Sequence, residues 1–142
     1  CILGGVHIES DFGPDGHSDA DVLIHALMDA MLGAAGLRDI GYYFPPEDDQ
    51  YKGISSMLLL EKVNFLLKER GLQAYNIDIM VISETPKLKP HIDMMKANLQ
   101  SILEISLDRI SIKATTNEML GAIGRREGIA AQAVVSVYEG EI

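Results

Sequence analysis

The stretch GHSDADVLIHALMDAML occupies residues 16–32 and carries the strongest structural signal in the chain. Its apolar residues dominate every turn of a helical projection, which predicts a helix that is buried on most sides. Ser18 stands three residues before Asp21, the arrangement of a capping box, so we expect the helix to begin near Ser18. Gly33 and Gly36 follow the apolar run and are expected to end the helix.

Polar residues interrupt this helix at one regular spacing. Asp21, His25 and Asp29 are separated by four residues each, which places them in one column along the helix. An imidazole between two carboxylates is typical of the ligands around a divalent metal, most plausibly zinc. The other interpretation is a histidine held by a carboxylate in a surface pair. The helix alone supplies too few ligands for a complete zinc site.

The start of the same helix is a second candidate site. His17 and Ser18 lie where the unpaired N–H groups of a helix N-terminus would attract an anion. In that case His17 would donate a hydrogen bond to a phosphate. Alternatively, Ser18 is only the helix cap and His17 is a solvated loop residue.

The remaining elements follow from the pattern outside this helix. CILGGVHI reads as a strand with a glycine turn or bulge, and a second helix is expected from about Ser56 to Arg70, ended by Gly71. NIDIMVIS and RISIKATT predict strands, separated by a third helix from Pro90 to Ile105. IAAQAVVSVYE predicts a final, largely buried strand. The order β, α, α, β, α, β, β favours an α+β sandwich, a mixed sheet with helices packed on one face.

Two connections between these elements are expected to be irregular. LRDIGYYFPPEDDQYKG is a long loop, and loops of this length in compact domains are often functional. NEMLGAIGRREG is turn-rich, with a short helical piece.

Length, charge and composition narrow the class of protein. The 142 residues are expected to form one domain spanning positions 1–142. A net charge of −9 disfavours nucleic acid as a partner, because nucleic-acid-binding proteins carry basic patches. The single cysteine, Cys1, excludes a disulfide framework within the chain. No apolar run reaches the ~18 residues of a membrane helix, so we expect no membrane partner.

Three separated motifs carry a resemblance to a known family. GHSDADVLIHALMDAMLGAAGLRDIGYYFP, ETPKLKPHI and IKATTNEMLGAIGRREGIA occur in this order, and the likeness extends over essentially the whole chain. Together they resemble the 2-C-methyl-D-erythritol 2,4-cyclodiphosphate synthase family. The resemblance implies a lyase of non-mevalonate isoprenoid biosynthesis. Its substrate would be 4-diphosphocytidyl-2-C-methyl-D-erythritol 2-phosphate, and CMP would be released as a cyclic diphosphate forms.

The same resemblance implies an assembly and cofactors. It implies a homotrimer with its sheets toward the centre and an active site between neighbouring subunits. Each site would hold one Zn²⁺ and one Mg²⁺ or Mn²⁺. The protein would be located in a bacterial cytoplasm, or in the plastid stroma of a plastid-bearing organism.

Residue roles follow from the resemblance position by position. His17 and Thr116 would stabilise the transition state, His25 would bind zinc, and Glu118 would bind the second metal. Arg125 would face the trimer axis. The implied substrate contacts are His17, Ser18, Asp39, Ile40, Gly41, Phe44, Asp48, Ser83, Pro86, Lys87, Leu88, Lys89, Thr115, Thr116, Glu118, Ala122 and Arg125.

The sequence departs from the family pattern in three places. The family completes its zinc site with a D-x-H motif upstream of ILGGV, and this chain starts at Cys1. We therefore expect this chain to be a truncated form of a longer protein, the alternative being a divergent member of the family. Zinc is expected to be weakly bound or missing in this chain. His7 lies after the GGV and is expected to be a surface residue. Pro46 stands where the family often has aspartate. Ala122 stands where phenylalanine is common, and would widen a central cavity of the trimer.

Two other functions compete with the cyclase. One is a non-catalytic module that binds a cytidine nucleotide or phosphate, which the missing D-x-H motif favours. The other is a metal-dependent phosphohydrolase, which would need a water activator for which the sequence offers no clear candidate.

Overall fold

A computed structural model of the chain describes residues 1–10 and 20–140. The elements, in chain order, are β1 (Ile2–Leu3), β2 (Val6–His7), α1 (Val22–Ala34), α2 (Ile40–Tyr43), α3 (Ser56–Glu69), β3 (Leu72–Ile82), α4 (Ile92–Leu103), β4 (Ile110–Thr115), α5 (Gly121–Gly124) and β5 (Ala130–Glu139). Short 3₁₀ turns lie at Asp49–Tyr51, Lys89–His91 and Leu107–Arg109. Among the described helices, none is both long and apolar enough to span a membrane.

The central sheet has three strands in the order β4-β3-β5. β3 pairs with β4 in parallel and with β5 in antiparallel orientation, so the sheet is mixed. Ile77, Ile79 and Val81 of β3 are fully buried, and α1, α3 and α4 pack over this layer of the molecule. The predicted α+β sandwich, with a mixed sheet and helices on one face, is therefore confirmed.

Within residues 1–10 and 20–140, no helix or strand covers the other face of the sheet. Along β5, exposed residues alternate with half-buried ones, and Val134 is 72% exposed. The prediction of a largely buried final strand is wrong for the single chain. An apolar run can indicate burial on both faces of a sheet, but the helices that the structure describes cover only one face.

The core is built around α1, as its sequence predicts. Its residues Leu23, Ile24, Leu27, Met28, Met31 and Leu32 are all fully buried. The helix packs on α3 and β5. Burial of this many large apolar side chains provides much of the driving force for folding.

The start of α1 differs from the sequence prediction. Asp21 is the N-cap, with its carboxylate accepting from Ile24 N, so the helix begins at Val22 and not near Ser18. Ser18 and His17 lie outside the described residues. At the other end, Gly33 is inside the helix, which ends at Ala34, and Gly36 follows with a φ of +72°. A helix tolerates one glycine when neighbouring turns are well packed.

Other boundaries agree with the sequence or refine it. The glycine turn in the first segment joins β1 to β2 as an antiparallel hairpin. Gly71 follows α3 with a φ of +71°, as expected of a C-terminal cap glycine. The third helix starts two residues after Pro90, which lies in a 3₁₀ turn. The long connection was predicted to be irregular, but it contains α2 and a 3₁₀ turn.

Candidate functional site

One pocket forms where β3 and β4 end side by side. Because the two strands are parallel, their C-terminal ends meet at one edge of the sheet, with Ile82 in register with Thr115. Ser83 N donates to Thr115 O at 2.9 Å and extends the pairing by one step. The segments that leave these strands enclose a pocket of about 130 Å³, which we call the loop pocket. It is lined by Ser83, Pro86, Lys87, Leu88, Lys89, Ala114, Thr115 and Thr116.

The loop pocket offers groups that suit an anionic ligand. Lys87 and Lys89 are exposed at its rim, and two threonine hydroxyls lie on the opposite wall. Thr115 Oγ1 donates to the Thr116 carbonyl at 3.3 Å, and Thr116 Oγ1 accepts from Glu118 N at 3.2 Å. Hydroxyls at a strand end beside lysines can converge on a phosphate.

A second pocket lies between α1, α2 and α3. It has a volume of about 230 Å³, and we call it the helix pocket. Its lining consists of His25, Ile40, Gly41, Phe44, Pro46, Tyr51 and Leu59. The walls are mostly apolar, and the Phe44 and Tyr51 rings meet edge to face with centroids 5.3 Å apart. His25 places an imidazole in an otherwise apolar pocket.

Two aspartates fix the position of α2 beside this pocket. Asp29 Oδ1 on α1 accepts from Ile40 N at 2.9 Å. Asp39 is the N-cap of α2, and its Oδ1 accepts from Tyr42 N at 3.0 Å. Asp39 is exposed, so its carboxylate can still reach a ligand in solution.

The column of Asp21, His25 and Asp29 does not form a common cluster. Asp21 is buried and accepts hydrogen bonds from the N–H groups of Gly4 and Gly5, whereas Asp29 accepts one from Ile40 N. His25 Nε2 lies 3.1 Å from Ser56 Oγ. Across residues 1–10 and 20–140, no group of three or more His, Cys, Asp or Glu side chains could hold a metal ion. The described residues therefore do not form a metal shell around this column, and both interpretations of His25 stay predictions.

The structure gathers most of the predicted substrate residues into the two pockets. Ile40, Gly41 and Phe44 line the helix pocket with His25. The loop pocket takes Ser83, Pro86, Lys87, Leu88, Lys89, Thr115 and Thr116. Among the predicted residues that the structure describes, those that line neither pocket are Asp39, Asp48, Glu118, Ala122 and Arg125.

Two of the residues outside the pockets have hydrogen-bond partners close in sequence. Asp48 accepts from Gln50 N and Gln50 Nε2, and these hydrogen bonds lower the pKa of its carboxyl. Arg125 pairs with Glu127 at 2.6 Å, which raises the pKa of the guanidinium and lowers that of the Glu127 carboxyl. His7 is exposed, as the sequence predicts.

Sequence reasoning missed Glu84, which bonds two backbone N–H groups beside the loop pocket. It also missed Pro46, Tyr51 and Leu59 as lining residues of the helix pocket. A glutamate between a strand and a proline loop gives no signal of long-range contacts, because its hydrogen-bond partners lie more than 30 residues along the chain.

The fold and the loop pocket define an α+β sandwich protein with a pocket at the ends of its parallel strands. The model of the YgbB family matches residues 1–138. A curated relative from Synechococcus elongatus, named 2-C-methyl-D-erythritol 2,4-cyclodiphosphate synthase, is 58% identical over 133 residues; these are 94% of this chain and 83% of that relative. The chain therefore belongs to the 2-C-methyl-D-erythritol 2,4-cyclodiphosphate synthase family.

Solved structures agree with this assignment. A 2C-methyl-D-erythritol-2,4-cyclodiphosphate synthase in its CDP-bound form is 34% identical, with a TM-score of 0.88 over 96% of this chain and 89% of that chain. The bifunctional IspDF from Campylobacter jejuni is 44% identical, with a TM-score of 0.92 over 96% of this chain and 37% of that longer chain.

Proposed function

We propose that this chain catalyses the reaction after which its family is named. 4-Diphosphocytidyl-2-C-methyl-D-erythritol 2-phosphate is converted to 2-C-methyl-D-erythritol 2,4-cyclodiphosphate and CMP. A 2-phosphate oxygen attacks the β-phosphorus, the bond from the β-phosphorus to the bridging oxygen breaks, and CMP leaves with that oxygen. The observation that carries the proposal is the loop pocket, where seven residues named by the family resemblance converge.

The reaction needs no protein nucleophile, because the attacking and leaving groups belong to one molecule. Catalysis then consists of holding the chain of the substrate in a bent conformation and offsetting the charge of its phosphates. In the proposal Thr115 and Thr116 bind the phosphates, and the Thr116 hydroxyl stabilises the transition state. The loop from Pro86 to Lys89 takes the cytosine, largely through backbone groups.

The methylerythritol part is assigned to the helix pocket. Its apolar walls suit the carbon skeleton, and the exposed Asp39 carboxylate suits the hydroxyl groups. The proposal keeps three substrate contacts that lie outside both pockets: Asp48, Ala122 and Arg125. His17 and Ser18, outside the described residues, are assigned to the phosphates at the start of α1.

Among the residues that the structure describes, the two pockets have no lining residue in common, which supports a site shared between chains. We propose a homotrimer in which the helix pocket of one subunit faces the loop pocket of its neighbour. The uncovered sheet face and the exposed side chains of Met119, Leu120 and Val134 provide apolar surface for such contacts. Their exposed fractions are 81%, 69% and 72%. Apolar patches of this kind mark protein–protein interfaces.

Metal binding is part of the proposal, with a limit set by the structure. His25 would be one zinc ligand, and the exposed Glu118 carboxylate would bind Mg²⁺ or Mn²⁺. The described residues do not by themselves complete a zinc site, so we derive no step through a metal. When bound, divalent ions would offset the repulsion between the substrate phosphates and a chain of net charge −9.

The decisive experiment follows the products by ³¹P NMR and chromatography. The protein is incubated with the cytidylyl substrate, Zn²⁺ and Mg²⁺. The proposal expects equal amounts of CMP and cyclic diphosphate. Release of inorganic phosphate would instead identify a phosphohydrolase. CDP binding without turnover would identify a nucleotide-binding module.

A further inference from the structure

Glu84 connects the two walls of the loop pocket although it is not one of the lining residues. Its Oε2 accepts from Asn117 N at 2.6 Å, and its Oε1 accepts from Met119 N at 3.3 Å. Ser83 separates Glu84 from the end of β3, and Glu84 precedes the segment proposed to take cytosine. Its first partner, Asn117, directly follows the two threonines of the other wall, and its second partner, Met119, lies two residues further along the chain. The Glu84 carboxylate thus joins the loop after β3 to the loop after β4. Its two partners lie 33 and 35 residues further along the chain.

The loop that Glu84 holds has an unusual backbone. Glu118 and Met119 have φ values of +54° and +62°, a left-handed conformation that is unfavourable for residues with a Cβ. N–H groups turned together in such a conformation form a concave site for an anion. In this chain the Glu84 carboxylate fills that role. Asn117 Nδ2, which donates to Leu120 O at 2.7 Å, closes the loop on its other side.

This backbone conformation fixes two groups of the proposed site. Glu118 N donates to Thr116 Oγ1, so the threonine hydroxyl is oriented by the loop itself. The Glu118 side chain projects from the same left-handed residue. If Glu118 and Met119 relaxed to negative φ values, the Thr116 hydroxyl and the Glu118 carboxylate would move relative to the loop of residues 86–89.

We propose that Glu84 is a positioning residue. It holds the Thr116 hydroxyl and the Glu118 carboxylate at the distance that the substrate requires from the loop of residues 86–89, which is proposed to take cytosine. The proposal rests on the proposed function for the identity of the ligand. It assigns Glu84 no contact with substrate. Its effect on catalysis passes through the loop of residues 115–119.

Two substitutions at this position separate charge from hydrogen bonding. Glu84→Ala removes both acceptors, whereas Glu84→Gln keeps one acceptor oxygen and presents an NH₂ group to the second N–H. Glu61→Ala is the matched control, because Glu61 is an exposed glutamate on α3 outside the loop pocket. We expect Glu84→Ala to weaken CDP binding and to lower kcat by about tenfold each, because two hydrogen bonds to a charged group are lost. Glu84→Gln should fall between Glu84→Ala and the wild type, and Glu61→Ala should match the wild type.

A double variant tests whether Glu84 acts through Thr116. Adding Glu84→Ala to Thr116→Ala should lower kcat by a much smaller factor than adding it to the wild type, because the group it positions is already absent. Full multiplication of the two losses would overturn the proposal. CDP affinity that is equal in Glu84→Ala, Glu84→Gln and Glu61→Ala would overturn it as well.

The CDP titrations by calorimetry do not depend on turnover. A wild-type protein that binds CDP but releases no CMP would therefore contradict the proposed function. In that case the CDP affinities of the Glu84 variants would still test the positioning role of Glu84. All measurements are made well below the unfolding temperature of each variant, so that a change in stability alone does not alter the result.

Discussion

Asp21 accepts a hydrogen bond from Gly4, which lies 17 residues earlier in the sequence: the distance from Gly4 N to Asp21 Oδ1 is 3.0 Å. The same carboxylate accepts from Gly5 N at 2.8 Å and from Ile24 N at 3.1 Å. One fully buried side chain therefore joins the hairpin of β1 and β2 to the first turn of α1. Both glycines have positive φ, which lets the turn direct its N–H groups at the carboxylate.

Replacing Asp21 with alanine is expected to destabilise the protein by about 2–5 kcal/mol, because backbone N–H groups would remain buried without an acceptor. Urea unfolding measures the change in free energy. Asp93→Ala is the control, since Asp93 lies exposed in the first turn of α4 and should cost well under ~1 kcal/mol. Equal losses for the two variants would contradict the role of Asp21.

Asp39 is expected to have separable structural and substrate roles. Asn at this position keeps the cap on Tyr42 N but loses the charge, whereas Ala loses both. We expect both variants to raise KM for the full substrate about tenfold, because a charged acceptor for its hydroxyl groups is lost. Only Asp39→Ala should also lower stability, by about 1 kcal/mol.

The affinity for CDP serves as the internal control for the Asp39 variants. CDP lacks the methylerythritol part, so calorimetry should give the wild-type dissociation constant for both. A normal KM in Asp39→Asn would remove Asp39 from the substrate site.

Thr116→Ala is expected to lower kcat by about 10²-fold, in the range found when one transition-state hydrogen bond is removed. Thr116→Ser keeps the hydroxyl and should retain most of the activity. Ser111→Ala on the same strand is the control for loss of an exposed hydroxyl and should behave as the wild type. The rate of CMP release is the measurement; wild-type kcat in Thr116→Ala would refute its assignment.

The shared site makes a prediction for mixed assemblies. His25→Ala disables the helix pocket and Thr116→Ala disables the loop pocket, so each variant alone should have at most about a hundredth of the wild-type activity. In trimers reassembled from equal amounts of both, about a quarter of the interfaces would pair two intact pockets by random association. CMP release should recover to about that fraction of the wild-type rate. Failure to recover, with mixed trimers verified by native mass spectrometry, would place the complete site within one chain.

Gly124 is expected to be required for the shape of the loop at Met119. A Cβ at Gly124 would lie 2.1 Å from the Met119 carbonyl carbon, so the backbone would have to move. We expect Gly124→Ala to cost about 1–3 kcal/mol and to weaken CDP binding. Gly128→Ala is the control, because a Cβ there meets no atom within 4 Å. Thermal unfolding and calorimetry measure both effects, and identical behaviour of the two variants would contradict the expectation.

Patterns local in sequence were enough to predict much of this fold. The helical periodicity of α1 placed Leu23, Leu27 and Met31 in the core, and Gly71 marked the end of α3, because side-chain direction and backbone freedom depend on near neighbours. The three motifs also named the residues that line the loop pocket. Where such patterns competed, the prediction failed: Ser18 looked like a cap, but Asp21 is the N-cap of α1.

Tertiary structure alone decided what the polar groups do. Asp21, His25 and Asp29 share one helical column, yet they bond to the β1–β2 turn, to Ser56 and to Ile40. Likewise, Glu84 finds its partners only because parallel pairing brings the ends of β3 and β4 together. The physical reason is range. Burial follows from hydrophobic periodicity within a few turns, but a hydrogen bond requires two groups within about 3 Å, which distant segments reach only after folding.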